Sequence, residues 1–270
     1  MKITQLVEAK YDGPSINLVS RKLKTLPANL PNHVIEDFRC GDNELISLKN
    51  CPSIVDRDFN CNCCKLTSLE YGPTKVGEFN CQGNNLTSLE FSPITKYINC
   101  SFNKLTTLEH CPETAEIIFC THNELTSLKG IPQNNIAHLM CNNNKLTSLE
   151  HCPSYIKYSL MCFDNILISL EHCPSSIGGD FTCANNKIHT FKDIHRHIKT
   201  IGGSFNCSDN QIEDSSILDI LLIDIGKNII TGLGNGRDVD IILTKWKNQG
   251  RRGIMGATKE LLNLGYDHLV

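Results

Sequence analysis

Residues 100–112 read CSFNKLTTLEHCP and residues 141–153 read CNNNKLTSLEHCP: a cysteine, an asparagine three residues on, a leucine two beyond that, then Leu-Glu-His-Cys-Pro. Working outward from these two stretches, the same frame recurs along most of the chain. Cysteines stand at Cys40, Cys61, Cys81, Cys100, Cys120, Cys141, Cys162, Cys183 and Cys207, with gaps of 21, 20, 19, 20, 21, 21, 21 and 24 residues. Three residues after each comes Asn43, Cys64, Asn84, Asn103, Asn123, Asn144, Asn165, Asn186 or Asn210, and two residues before each an apolar side chain, from Phe38 to Phe205. A period of about 20 residues kept through nine units marks a stacked repeat, in which each unit buries its apolar face only against its neighbours.

The local chemistry sets the register. Alternation of apolar residue, any residue and cysteine puts the first and third side chains on one face of a short strand, in the core, and the second on the opposite face. The asparagine satisfies backbone groups of the turn that follows, so the pattern predicts an asparagine ladder interrupted at Cys64. The return path carries Pro52, Pro73, Pro93, Pro112, Pro132, Pro153 and Pro174, each of which removes an N–H donor and disfavours helix. A repeat this short has no room for a strand and a full helix, so the convex side is expected to be extended or 3₁₀.

The pattern resembles the leucine-rich repeat family, with cysteine in place of one core leucine. The resemblance covers about residues 14–215, if Ile16-Asn17-Leu18 through Leu26 is taken as a degenerate first turn. It is similar to the short bacterial and phage type of repeat. It implies a mostly β fold: a curved parallel sheet lining the concave side of a solenoid, closed by a small α-helical cap at the C-terminus. The expected organisation is an N-terminal cap and degenerate repeat at 1–30, nine repeats over 31–215, and a C-terminal cap with a helical appendage over 216–270. In that appendage Val239, Ile242, Leu243 and Trp246 share one helical face, and Ala257, Leu261 and Leu264 mark a second helix stopped at Gly265. Gly232, Gly234 and Gly236 mark the join before it.

Composition excludes several classes of function. With 26 Lys and Arg against 29 Asp and Glu, a formal charge of -3 and 40% hydrophobic residues, the chain is neither disordered nor a strongly basic nucleic-acid binder. It has no apolar run of about 18 residues and no apolar signal stretch in MKITQLVEAKYDG, so a cytoplasmic protein free of the membrane is expected. Fifteen cysteines, an odd number in a long chain, are expected to be reduced thiols.

Candidate chemistry is thin, and no enzyme or cofactor is expected. A single column of cysteines cannot surround a metal tetrahedrally, and its members read as small buried apolar side chains. Within Cys61-Asn62-Cys63-Cys64 the one exposed thiol should be Cys63. His151-Cys152 and His172-Cys173 lie on adjacent turns and offer the donor types of a zinc site, although drift between interchangeable residues accounts for them more simply. Gly232-Leu233-Gly234-Asn235-Gly236 lacks the Lys-Ser/Thr of a phosphate loop. Bacterial effectors with similar repeats often carry a ubiquitin-ligase domain that uses a catalytic cysteine, and no cysteine follows Cys207. Lys245, Lys247, Arg251 and Arg252 form a mildly basic surface, the basis of an alternative reading as a nucleic-acid-associated protein.

Function is expected on the concave face, where the residues that alternate with the core pair are displayed. The first turns place Asp37, Asp58 and Glu78 there, an acidic end. The middle turns place Tyr97, Phe102, Ile117, Phe119, His138, Met140, Met161 and Phe163 there, an apolar island on a face that should be wet. Aromatic and methionine side chains with a polar rim mark interface centres. The expected function is capture of a protein partner on this island, the acidic end steering a basic region of it. By analogy with the bacterial and phage resemblance, that partner is a host protein to be sequestered or inhibited. Homodimerisation through the island is the other form such a patch allows. One ambiguity remains at Ile117-Ile118-Phe119, where a shift of one residue would turn the island inward.

Overall fold

Two or three residues of strand per repeat suffice, because the next repeat continues the hydrogen-bond ladder. The computed structural model describes residues 13–212, 214–234 and 237–270, so the reading of the first twelve residues and that of Asn235-Gly236 lie outside the described residues. Contacts divide the chain into two units, Met1–Leu125 with Lys129–Pro132, and Thr126–Leu128 with Gln133–Val270.

In the first unit the strands are β1 (Ile16–Asn17), β2 (His33–Val34), β3 (Phe38–Arg39), β4 (Ile54–Val55), β5 (Phe59–Asn60), β6 (Glu78–Asn80), β7 (Tyr97–Asn99) and β8 (Ile117–Phe119). They form a parallel sheet in the order β1-β3-β5-β6-β7-β8, with β2 and β4 paired on the return path. Register follows the apolar residue of each repeat: Ile16 opposite Phe38, Phe38 opposite Phe59, Phe59 opposite Phe79, Phe79 opposite Ile98, and Ile98 opposite Ile118. Equivalent phenylalanines therefore stack, at 5.9 Å for Phe38 on Phe59 and 5.6 Å for Phe59 on Phe79.

The second unit contains β9 (His138–Met140), β10 (Tyr155–Ile156), β11 (Ser159–Met161), β12 (Ser176–Ile177), β13 (Phe181–Thr182), a short helix α1 (Ile194–His197), β14 (Thr200–Ile201), β15 (Phe205–Asn206), β16 (Asp224–Ile225) and β17 (Ile229–Ile230). Its sheet runs β9-β11-β13-β15-β17, so one strand follows the last cysteine-marked repeat, Ile229 pairing with Phe205. The return path is more regular than proline content alone implies: β10, β12, β14 and β16 make a second parallel sheet. After it the backbones approach closely. A Cβ on Gly178 would sit 2.1 Å from the carbonyl oxygen of Lys157, and one on Gly202 would sit 2.2 Å from that of Gly178, so glycine is required at both.

The asparagine ladder forms, with a specific bonding scheme. Asn103 donates from Nδ2 to the carbonyls of Cys81 and Cys100, and its Oδ1 accepts the amide of Leu86. Asn84 and Asn123 in the first unit, and Asn165, Asn186 and Asn210 in the second, repeat the scheme. Each side chain thus satisfies buried backbone groups of two successive turns. At the interruption, the Cys64 thiol donates to the carbonyl of Cys40 at 3.6 Å, a weak substitute.

The apolar run after residue 214 is a 3₁₀ helix, Ser215–Leu222, with Asp214 accepting the amide of Ser216 at its start. Helices α2 (Asp238–Trp246) and α3 (Gly250–Asn263) follow. Val239, Ile242, Leu243, Ala257 and Leu261 are buried as the periodicity predicts. Leu264 is exposed, because α3 ends one residue before it. Side chains of α2 and the residues after it close the outer edge of the last strands. Thr244 accepts the amide of Ile229 at 3.0 Å, Asp240 accepts that of Thr231 at 2.7 Å, and Asn248 both accepts from and donates to Ile225. Spaced four residues apart, these three polar side chains replace the backbone that a further repeat would supply, and they protect the edge from pairing with another chain.

If the ladder braces the turns, replacing Cys64→Asn will complete it and raise stability by about 1 kcal/mol, and Asn103→Ala will lower it by roughly 3 kcal/mol, having left buried backbone groups unpaired. Urea unfolding of the two variants checks both signs.

Candidate functional site

The register places the island outward. Ile98, Ile118, Leu139 and Leu160 are fully buried, whereas their neighbours Tyr97, Ile117, Phe119, His138, Met140 and Met161 are half-buried on the other side of the strands. This resolves the ambiguity at Ile117-Ile118-Phe119. In the first unit Tyr97 pairs with Ile117 and Asn99 with Phe119, and the rings of Tyr97 and Phe119 meet edge to face at 5.4 Å. In the second unit Met140 lies opposite Met161 and His138 opposite Ser159, and His138 stacks on the exposed Tyr158.

The last residue of each strand, between the core apolar residue and the cysteine, has a structural task that the sequence pattern did not reveal. Asn17, Asn60, Asn80 and Asn99 in the first unit, and Asn206 in the second, each accept with Oδ1 the amide two residues ahead, at 3.0–3.1 Å. Phe119, Met140 and Met161 occupy the equivalent position. A phenyl ring has no acceptor, so the Phe119 repeat forgoes a turn-bracing bond of about 1 kcal/mol, and all three repeats leave a half-buried apolar side chain in contact with water.

Phe102 and Phe163, both read from sequence as following the strand cysteine, differ in position. Phe163 is half-buried and directly follows Cys162. Phe102 is one residue further on, in a column where every repeat adopts a left-handed backbone: Asp42, Cys63, Gly83, Phe102 and His122 in the first unit, and Asn143, Asp164, Asn185 and Asp209 in the second. Asp, Asn and Gly tolerate that conformation, and an aromatic side chain is strained in it by roughly 1–2 kcal/mol. Phe102 has a φ of 55°, is 48% exposed and stacks on His122 at 4.1 Å.

The acidic end is largely occupied. Asp37 pairs with Arg39 at 2.8 Å, and its other oxygen faces the amide of Asp58 at 3.4 Å. Asp58 in turn accepts the amide of Glu78 at 3.2 Å. Of the three carboxylates, that of Glu78 is the exposed one, and its charge, after burial, helps hold the Tyr97 phenol above its ordinary value.

The histidine and cysteine of each His-Cys pair point to opposite sides. His151 and His172 are exposed, while burial pushes the thiols of Cys152 and Cys173 well up. Cys51 and Cys111 in the first unit, and Cys152 and Cys173 in the second, pack behind the strand cysteines, and among the described residues no three metal-binding side chains converge. Gly234 lies against Tyr266 and Val239, where a Cβ would be 2.8 Å from either side chain. The basic appendage is also partly committed: Lys245 pairs with Glu260, and Lys247 donates to the carbonyl of Ile225, leaving Arg251 and Arg252 on the exposed surface of α3. Among the described residues no helix is long and apolar enough to cross a membrane.

No family model matches the sequence, and no curated protein matches it. Similarity appears in solved structures. The functional domain of InlJ from Listeria monocytogenes, which includes a cysteine ladder, has a TM-score of 0.61 at 23% identity, over 78% of this chain and 47% of that one. This is a leucine-rich repeat solenoid. YopM from Yersinia enterocolitica gives a TM-score of 0.43 at 17% identity over 71% of the solenoid and 49% of that chain. A leucine-rich repeat protein of Leptospira interrogans gives 0.45 at 16% identity over 90% and 85%. The solenoid spans about half the length of the InlJ and YopM chains it matches, and what it shares with them is the fold.

All fifteen cysteines are free. Burial and the neighbouring thiols hold Cys61 well above its ordinary value, and burial alone raises Cys111 to about 12. Cys63 is exposed, but partial desolvation and then the charge of Asp42 raise it as well, so it is accessible without being activated. A raised folded-state thiol pKa stabilises fully below the unfolded value of about 8.5 and is lost as pH rises beyond it, because the unfolded chain then releases protons that the folded chain keeps. Urea midpoints are expected to fall between pH 8 and pH 10.5. A maleimide at pH 7 is expected to label Cys63 first in the folded protein, the ladder thiols reacting only in urea; early labelling of Cys100 or Cys141 would contradict the burial.

Proposed function

We propose that the solenoid is a non-enzymatic module that holds a protein partner against the outward face of its parallel sheet. The contacts would be Tyr97, Phe102, Ile117 and Phe119 in the first unit, and His138, Met140, Met161 and Phe163 in the second. One observation carries this reading: at the strand-end position, where five repeats use asparagine to brace the turn and Arg39 and Thr182 are polar, consecutive repeats use Phe119, Met140 and Met161, and the left-handed column, mostly Asp, Asn or Gly, holds Phe102. Residues that lower the stability of the free protein on an exposed face are explained by contacts made in a complex. Aromatic and methionine side chains supply such contacts through large apolar area.

Glu78, exposed beside Tyr97, would orient a basic group of the partner, whereas Asp37 and Asp58 serve the turns. The short bacterial and phage character of the repeats favours a host protein as that partner, held in a cytoplasmic, inhibited complex. No specific observation favours the nucleic-acid reading over this one.

The proposal predicts opposite changes in stability and binding. Phe119→Asn and Phe102→Asn are each expected to raise folding stability by about 1 kcal/mol, by restoring a side-chain bond or relieving backbone strain. Both should also reduce retention of a partner from bacterial lysate, identified by mass spectrometry against the native chain. Met161→Asp tests the second unit in the same assay. Undiminished retention by all three variants would remove the sheet face as the site, and lower stability of the two asparagine variants would remove the argument that the native residues are kept at a cost.

A further inference from the structure

Helix α2 presents two adjacent rows of side chains to the end of the second unit. Asp240, Thr244 and Asn248 are bonded to the edge of the last strands, as described above. Beside them Ile241 and Lys245, four residues apart, lie on one line of the helix surface, and Arg237, the left-handed residue just before the first turn, stands at the start of the groove they line. Between these residues and Asn228–Ile230 of the last strand the groove is open, with a volume of about 480 Å³. Its walls are apolar at the centre and cationic at both ends. Ile230 is 37% exposed and Ile241 64% exposed, an unusual amount of aliphatic surface for two facing residues. Arg237 stands exposed at one end. At the other, Lys245 lies over the Trp246 ring at 5.3 Å and pairs with the half-buried carboxylate of Glu260 from a surface position, a pairing weak enough to be shared with a ligand.

We propose that this groove takes an extended acidic–apolar–acidic segment of a protein partner. Lys245 lies seven residues, ~10.5 Å of helical rise, beyond Asp238, and Arg237 precedes Asp238 by one residue. In an extended chain, side chains at alternate positions point the same way, and four residues span ~13 Å. Carboxylates two residues to either side of an apolar residue therefore reach Arg237 and Lys245 while that residue rests on Ile230 and Ile241. The carboxylates already at the groove do not oppose this. Asp240 is buried and its Oδ1 accepts both the amide and the hydroxyl of Thr231, while Glu260 is held by Lys245 and the Trp246 indole. The strand edge offers no free amide for pairing at Ile229 or Thr231, so recognition is by side chains and not by strand addition. This site is independent of the sheet-face proposal, and either can fail alone.

The probe is a fluorescein-labelled, end-blocked nonapeptide of glycine and serine with leucine at its centre and glutamate two residues to either side, titrated with the full chain and read by anisotropy. Native protein is expected to bind it, with affinity falling as salt rises. Arg237→Gln and Ile241→Ser, both at exposed positions, are each expected to weaken binding at least tenfold with an unchanged circular dichroism spectrum. A peptide with lysine for both glutamates should not bind, and Arg251→Glu/Arg252→Glu, outside the groove, should bind as native. No binding of the glutamate peptide to native protein, equal binding by the groove variants, or loss of binding confined to the Arg251/Arg252 variant would each overturn the proposal.

Discussion

Most turns of this solenoid hang on one asparagine side chain and the backbone groups it satisfies. A repeat of about 20 residues reverses direction too tightly for its own backbone to pair all its buried amides and carbonyls. Asn103 shows the solution: one carboxamide, placed three residues past the strand, bonds two carbonyls and one amide drawn from successive turns. Because these bonds join one repeat to the next, the side chain fixes the stacking distance as well as the turn. The parallel strands, the stacked phenylalanines and the thiol rows depend on that stacking.

Small side chains keep the core in step with this spacing. Cysteine at the strand position is compact and apolar enough to repeat without a cavity or a clash, and burial keeps each thiol protonated. In the second unit His151 and His172 look out while Cys152 and Cys173 look in, since consecutive residues at this turn face opposite ways.

A framework this regular makes its exceptions informative. Asn80 and Asn99 brace their turns and Phe119 does not; Asp42 and Gly83 fit a left-handed backbone and Phe102 is strained in it. Fold stability alone does not account for either choice; Phe119 lies on the outward face of its strand and Phe102 in the turn that follows the neighbouring strand. The end of the chain shows the complementary rule. Where the repeat stops, Asp240, Thr244 and Asn248 take over the bonding of a missing strand, and the helix that carries them leaves a groove beside it.

Alternation of Phe or Ile with cysteine, and asparagine three residues on, determined by themselves the repeat frame and the ladder with its gap at Cys64, whereas which of Ile117, Ile118 and Phe119 is core was decided by the strand pairing. These features repeat locally, so each copy reports on the others. What only the tertiary structure decided lies between repeats or beyond them. The glycines at 178 and 202 became necessary through close approach to a carbonyl of the preceding repeat. Asp37 and Asp58 proved to be braces for the following turn. The strand at Ile229–Ile230 lacks the cysteine signature and is recognised by its partner Phe205–Asn206. The left-handed column is invisible at Phe102 and His122 because neither residue type signals that backbone; the stacking of successive turns imposes it.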